Sequence, residues 1–263
     1  MVSPPLHHVR RGSGKPLLLV HGLGGSRRSW DTIIDALAAR REAIAVDLPG
    51  FGDTPPLTGE VTIAALTDAL VAFLREHDLT GVDVVGTSMG ARLVLELARR
   101  GEVGATVALD PGGFWSDGER KVFGASIAAS IRLVRLLQPL MPALTRSAVG
   151  RTMLFAQLSA RPWRLPADAL LTEMRSYAAA PSFDSALRAL VHGPLQEGMP
   201  AGSARGPIVM GWGKRDLVTL PRQARRAQER FPDARVEWFE NSGHFPHWDV
   251  PDKTTRLILD TTA

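Results

Sequence analysis

The 263 residues are 44% hydrophobic and 22% charged, the balance of an ordinary globular protein with room for one large α/β domain and an insertion. With no cysteine, disulfides, thiolate metal sites and a cysteine nucleophile are all excluded. The net charge of +4 sits wholly in the middle of the chain: residues 114–200 carry ten Lys/Arg against six Asp/Glu, and the rest is balanced at 21 of each.

No carboxylate occurs between Lys121 and Ala167. A solvated basic face explains this, as does attraction of an anionic or interfacial substrate. Nucleic acid is not an expected partner, because no recognition motif or dense basic helix accompanies the charge. The opening MVSPPLHHVRRGSGKP lacks the apolar core of a signal peptide. The most apolar stretch, Val122–Leu144, is broken by Arg132 and Arg135, so stable membrane insertion is not expected and the reading is cytoplasmic.

In chain order, residues 2–15 hold turn formers and a short edge-strand candidate, Leu6–Arg10. Pro16–His21 (PLLLVH) is continuously apolar, as a strand buried on both faces must be. The glycine loop His21–Ser26 follows, and Ser29-Trp30-Asp31 opens a helix through Ile33, Ile34 and Leu37. A second buried strand, Ala43–Leu48, runs into Asp47-Leu48-Pro49-Gly50-Phe51-Gly52. Thr62–Leu79 has helical apolar spacing at Leu66, Leu70 and Leu74. Val82–Val85 then enters Gly86-Thr87-Ser88-Met89-Gly90, and a helical pattern leaves it. A further strand, Val103–Leu109, ends at Asp110-Pro111.

Strand and helix alternating over about a hundred residues predict a mainly parallel, doubly wound sheet flanked by helices. Right-handed crossovers place the loops after its strands at one edge. The rhythm changes at Phe114. Residues 114–203 read as helices over Val122–Leu140, Leu144–Leu158, Ala167–Ala179 and Phe183–Val191, punctuated by prolines. Strands resume at Pro207–Trp212 and Arg235–Phe239, with a helix over Arg222–Arg230 between them and a terminal helix after Pro246. The expected organisation is a core of residues 1–113 and 204–263 with an inserted helical cap, 114–203.

Ser88 sits at the apex of a strand–turn–helix with glycines two residues before and after, where a bulky Cβ would obstruct so sharp a turn. A serine nucleophile needs a base, an orienting acid and donors for the oxyanion. His244, in the glycine-flanked loop after the last strand, is the candidate base; His247 is the rival, placed beyond that loop. Asp216, in Gly211-Trp212-Gly213-Lys214-Arg215-Asp216, is the favoured acid, with Asp110 as competitor. The backbone N–H groups of Met89 and Leu23 are the expected oxyanion donors. The role expected of His21 is to hold the first glycine loop by hydrogen bonds.

His21-Gly22-Leu23-Gly24-Gly25, Asp47–Gly52, Gly86–Gly90, Asp216 and Gly243-His244 together resemble the α/β-hydrolase fold family, and the match spans both halves of the chain. The departures are Asp53, where a serine often follows the glycine loop, and Ala91, where a second glycine often follows the serine turn. The resemblance implies a Ser-His-Asp hydrolase needing no cofactor and no metal. Ser88 argues against the epoxide-hydrolase and dehalogenase branches, which carry aspartate there. The leading reading is a carboxylesterase of small to medium esters working through an acyl-serine. The alternative is a C–C bond hydrolase of a vinylogous diketone acid, since His244-Phe-Pro-His-Trp248-Asp249 is similar to the end of that branch and an arginine-rich cap suits a carboxylate. A non-turnover binder of a small hydrophobic ligand is the third. Phe114, Trp115, Met153, Trp163 and Phe245 are candidate pocket residues.

Overall fold

Leu17, Leu18, Leu19 and Val20 have no exposed surface, and neither do Val84, Val85, Ile44 and Ala45. Burying one such side chain is worth about 1.5–3 kcal/mol, so these runs set the centre of a sheet covered on both faces. The computed structural model describes residues 4–263; the first three, including the start of the turn-rich opening stretch, lie outside the described residues.

The strands are β1 (His8–Arg11), β2 (Pro16–Val20), β3 (Glu42–Val46), β4 (Asp83–Thr87), β5 (Thr106–Leu109), β6 (Ile208–Gly213) and β7 (Arg235–Phe239). They form one seven-stranded sheet in the order β1-β3-β2-β4-β5-β6-β7. Only the edge strand β1 is antiparallel, so the mainly parallel, doubly wound α/β architecture holds.

The chain steps from β2 outward to β3, then crosses back over β2 to β4. The loops after β2 and β4 therefore part in opposite directions and leave a crevice at the carboxyl edge. The first glycine loop and Ser88 flank that crevice.

The helices are α1 (Ile34–Ala38), α2 (Ile63–Glu76), α3 (Met89–Arg99), α4 (Asp117–Leu136), α5 (Met141–Arg146), α6 (Ala148–Phe155), α7 (Ala167–Ala179), α8 (Phe183–His192), α9 (Gln223–Arg230), α10 (Pro246–Asp249) and α11 (Pro251–Thr261). Helices α4 to α8 all fall between β5 and β6.

Several boundaries differ from expectation, for local reasons. The expected helix from Ser29 is a 3-10 turn, Arg27–Trp30, capped by Ser26 and Ser29 in a capping box, and the α-helix begins only at Ile34. The helix expected from Val122 starts at Asp117, because Ser116 and Glu119 form a capping box, and it stops at Leu136, three residues before Pro139. The helix expected over Leu144–Leu158 is two, α5 and α6, separated by Ser147 in extended backbone, where its hydroxyl caps α6.

Candidate active site

At the end of β4 the backbone turns through Ser88 at φ 55°, ψ −114°, a region that costs a non-glycine residue about 1–3 kcal/mol. The turn holds because its neighbours are glycines. A Cβ on Gly86 would lie 2.3 Å from the Gly90 carbonyl oxygen, and one on Gly90 would lie 2.2 Å from the Val20 carbonyl oxygen. The Ser88 amide is tied to the Leu109 carbonyl at 2.9 Å. Its side chain is left half-buried, at the head of α3.

The loops after β6 and β7 bring up the partners. His244 Nε2 lies 2.8 Å from Ser88 Oγ, and His244 Nδ1 lies 2.8 Å from Asp216 Oδ2. Both partners are buried. Asp216 is fixed in turn: Oδ1 accepts the amides of Val218 and Thr219, and Oδ2 accepts the Thr219 hydroxyl at 2.6 Å. With Nδ1 facing a carboxylate, the imidazole presents its Nε2 lone pair to the serine hydroxyl.

Asp110, the competing acid, contributes differently. Its Oδ1 accepts the Gly213 amide at 2.8 Å, and its Oδ2 meets no hydrogen-bond partner. Burial first, and then the nearby Asp216 charge, push its carboxyl well above the usual carboxylate range. Donor atoms of Asp110, Asp216 and His244 all fall within 4.8 Å of one another, but both Asp216 oxygens are already taken by donors.

His21 donates Nδ1–H to the Gly22 carbonyl (2.7 Å) and accepts the Leu48 amide at Nε2 (3.0 Å). Burial lowers its pKa, so a neutral ring clamps the first glycine loop to the second. Neither the Leu23 nor the Met89 amide is engaged by a backbone carbonyl among the described residues. His247, the rival base, is buried against Trp30 with ring centroids 4.9 Å apart. Burial pushes its pKa down to about 3, and among the described residues no hydrogen bond reaches either ring nitrogen.

Ser88 and His244 open into a narrow, largely apolar cavity of about 70 Å³. Leu23 and Phe245 line it from the core, and Phe123, Ile127, Ile131, Val134, Leu154 and Met174 from the helices between β5 and β6. Of the five pocket residues expected, Phe245 lines this cavity and four do not. Phe114 packs edge-on against Phe231, and Trp115 stacks on Phe123 at 4.7 Å, behind the cavity wall. Met153 and Trp163 are 76% and 49% exposed on the outer surface. Phe114 and Trp115 lie in the loop before α4, and Met153 and Trp163 turn outward; an apolar residue in this segment does not declare from sequence which way it faces.

Two supports went unnoticed in the sequence. Thr219 joins the acid turn to the Asp110 carbonyl and stands 3.4 Å from His244 Nδ1. Its signal was an Asp followed three residues on by Thr, an Asx-type turn. Asp249 holds the histidine loop by accepting the amides of Gly243 (2.7 Å) and Ala160 (2.8 Å) and the Ser159 hydroxyl.

A family model described as "Alpha/beta hydrolase family" matches residues 17–257. The chain belongs to this family. Among proteins similar to this α/β hydrolase, an uncharacterized protein of Mycobacterium tuberculosis is 29% identical, over 99% of this chain and 83% of its own. Lipase 1 of Psychrobacter immobilis is 24% identical over 92% of this chain and 75% of the lipase. An esterase from Exiguobacterium antarcticum superposes with a TM-score of 0.79 at 19% identity, covering 98% of this chain and 95% of that one, a likeness of fold. Family membership and the lipase relative support hydrolase chemistry for this α/β hydrolase.

In this α/β hydrolase, Glu173 of α7 reaches down to the 3-10 turn after the first glycine loop, where it accepts the Ser29 hydroxyl at 2.9 Å. Burial raises its pKa from 4.5 to about 8. An unfolded chain releases this proton near 4.5, whereas the folded chain keeps it to about 8. Stability from this group is therefore greatest below pH 4.5, declines as pH rises between those values, and is flat above. Glu173→Gln is expected to flatten that decline, raising Tm by a few degrees at about pH 8 relative to the parent and little at about pH 5. Thermal melts at the two pH values check it; equal shifts at both refute the linkage.

Proposed function

We propose that this protein is a serine hydrolase that cleaves carboxylic esters of small to medium size through a covalent acyl-Ser88 intermediate. The observation that carries it is the run from Ser88 Oγ through His244 to Asp216, two contacts of 2.8 Å at the floor of an apolar cavity. His244 takes the serine proton as Oγ attacks the ester carbonyl and returns it to the leaving alcohol. It then deprotonates the water that releases the acid. Asp216 holds the ring and stabilises the imidazolium. The free amides of Leu23 and Met89 serve as the oxyanion donors, each worth about 3 kcal/mol in the transition state. Residues 114–203 act as a cap that sets the acyl pocket.

The lining favours an ester over a diketone acid. Among the described residues no lysine or arginine lines the cavity, so the carboxylate of such an acid would be buried without a cationic partner. Trp248 is committed elsewhere, donating Nε1–H to the Ser29 carbonyl at 3.0 Å. A binder without turnover has no use for a serine in strained backbone aimed at a histidine.

A fluorophosphonate probe tests the nucleophile: it should label the protein and fail on Ser88→Ala, and labelling that persists in the variant defeats the assignment. Substrate size is tested by p-nitrophenyl esters. Ile127 is half-buried on the cavity wall, so Ile127→Trp should cut kcat/KM for octanoate about 10- to 100-fold while leaving acetate within a few-fold. Equal losses on both esters would mean the acyl chain lies elsewhere.

A further inference from the structure

Eight large apolar side chains are exposed among the described residues, and seven lie between Val122 and Trp163. From Lys121 to Arg164 every charge has one sign: seven Lys/Arg and no carboxylate. Among the described residues, only Arg135 of these seven is paired with an acid, Asp184 at 2.9 Å. Lys121, Arg132, Arg146 and Arg164 are exposed.

Helical geometry sorts the two features onto one side of α4. Phe123, Ile127, Ile131 and Val134 turn inward to the cavity. Val122, Leu133 and Leu136 lie on the opposite side with Lys121 and Arg132, all exposed. On α6 the exposed Val149 and Met153 sit one turn apart, and the Arg151 guanidinium ties that helix to the Trp163 carbonyl at 2.8 Å.

No single helix among the described residues is long and apolar enough to cross a membrane, but Asp117–Leu136 and Gln138–Arg146, bent by 63°, are apolar enough together. A bent pair with one side on a protein cavity and apolar groups among cations on the other matches an element that lies on a lipid surface. A second copy of the chain fits poorly, since a two-fold contact would set this cationic face against itself.

We propose that the outer face of residues 121–164 docks on an anionic lipid surface, with Leu136, Met153 and Trp163 entering the headgroup layer while Arg132, Arg146 and Arg164 meet lipid phosphates. This holds whatever ester the active site prefers.

Co-sedimentation of the intact protein with phosphatidylcholine vesicles, with and without phosphatidylglycerol, tests it. Phosphatidylglycerol should raise binding about tenfold or more, and most of that gain should vanish between about 0.1 M and about 1 M salt. Leu136→Ser with Met153→Ser, and separately Arg132→Gln with Arg164→Gln, should each weaken binding about tenfold without changing turnover of a soluble p-nitrophenyl ester, which also shows that the variants fold. Retention that is absent, or equal on both vesicle types, overturns the proposal. So does a dimer in sedimentation velocity that Leu136→Ser abolishes, which would give the face to a second copy.

Discussion

Ser88→Ala is expected to lower kcat on p-nitrophenyl butyrate by about 10⁴- to 10⁶-fold, with the fold and KM little changed. The size of the loss follows from the arrangement. The acylation step proposed here runs through one oxygen, and His244 Nε2 makes its hydrogen bond to that oxygen alone. The residual rate would be what two oxyanion amides and the cavity supply to water attack. A second variant separates chemistry from backbone strain. At φ 55° a side chain is held against its preference, and glycine adopts that conformation freely. Ser88→Gly should therefore be as inactive as Ser88→Ala but melt higher, with the strain of about 1–3 kcal/mol relieved in part. Calorimetry on the two variants decides this. If Ser88→Gly melts below Ser88→Ala by more than the roughly 0.5–1 kcal/mol that glycine's unfolded-state freedom costs, the turn is not strained.

The parts of this molecule that could be read without coordinates are those where one residue's neighbours along the chain decide its surroundings. A run such as Leu17-Leu18-Leu19-Val20 can only be a strand with both faces covered, and the glycines around Ser88 admit only a sharp turn. Crossover handedness then carried the loops after β4, β6 and β7 to a common edge, which is why Ser88, Asp216 and His244 could be paired from positions 28 and 156 residues apart. The region between β5 and β6 resisted the same treatment. There the environment of a side chain is set by which helix packs on which: Met153 and Trp163 turn outward, while Phe114 and Trp115, in the loop before α4, pack on Phe231 and Phe123. Ile127 and Ile131, which do line the cavity, looked no different in sequence. The 3-10 turn at Arg27–Trp30 was missed for a related reason: a capping box on so short a segment looks the same as the start of a longer helix.

The choice between Asp216 and Asp110 yields the second large effect. Asp216→Asn should lower kcat by about 10³- to 10⁴-fold, because an amide facing Nδ1 favours the tautomer whose Nε2 carries a proton and can no longer take the serine's. Asp110→Asn should stay within about tenfold of the parent. The difference lies in charge rather than distance, since both carboxyls are buried beside the same histidine. Asp110 has one oxygen on the Gly213 amide and the other without a partner among the described residues, and burial together with the Asp216 charge pushes its carboxyl well above the usual carboxylate range. Asparagine reproduces the carboxyl in shape and keeps a carbonyl oxygen for the Gly213 amide, so the one hydrogen bond this group makes survives. Asp216 accepts two amides, one hydroxyl and the imidazole, all of which want a negative partner, and asparagine cannot satisfy them together. Steady-state kinetics of the two variants on one ester check the pair. A large loss in Asp110→Asn alone would make Asp110 the orienting acid and reduce Asp216 to the cap of its own turn.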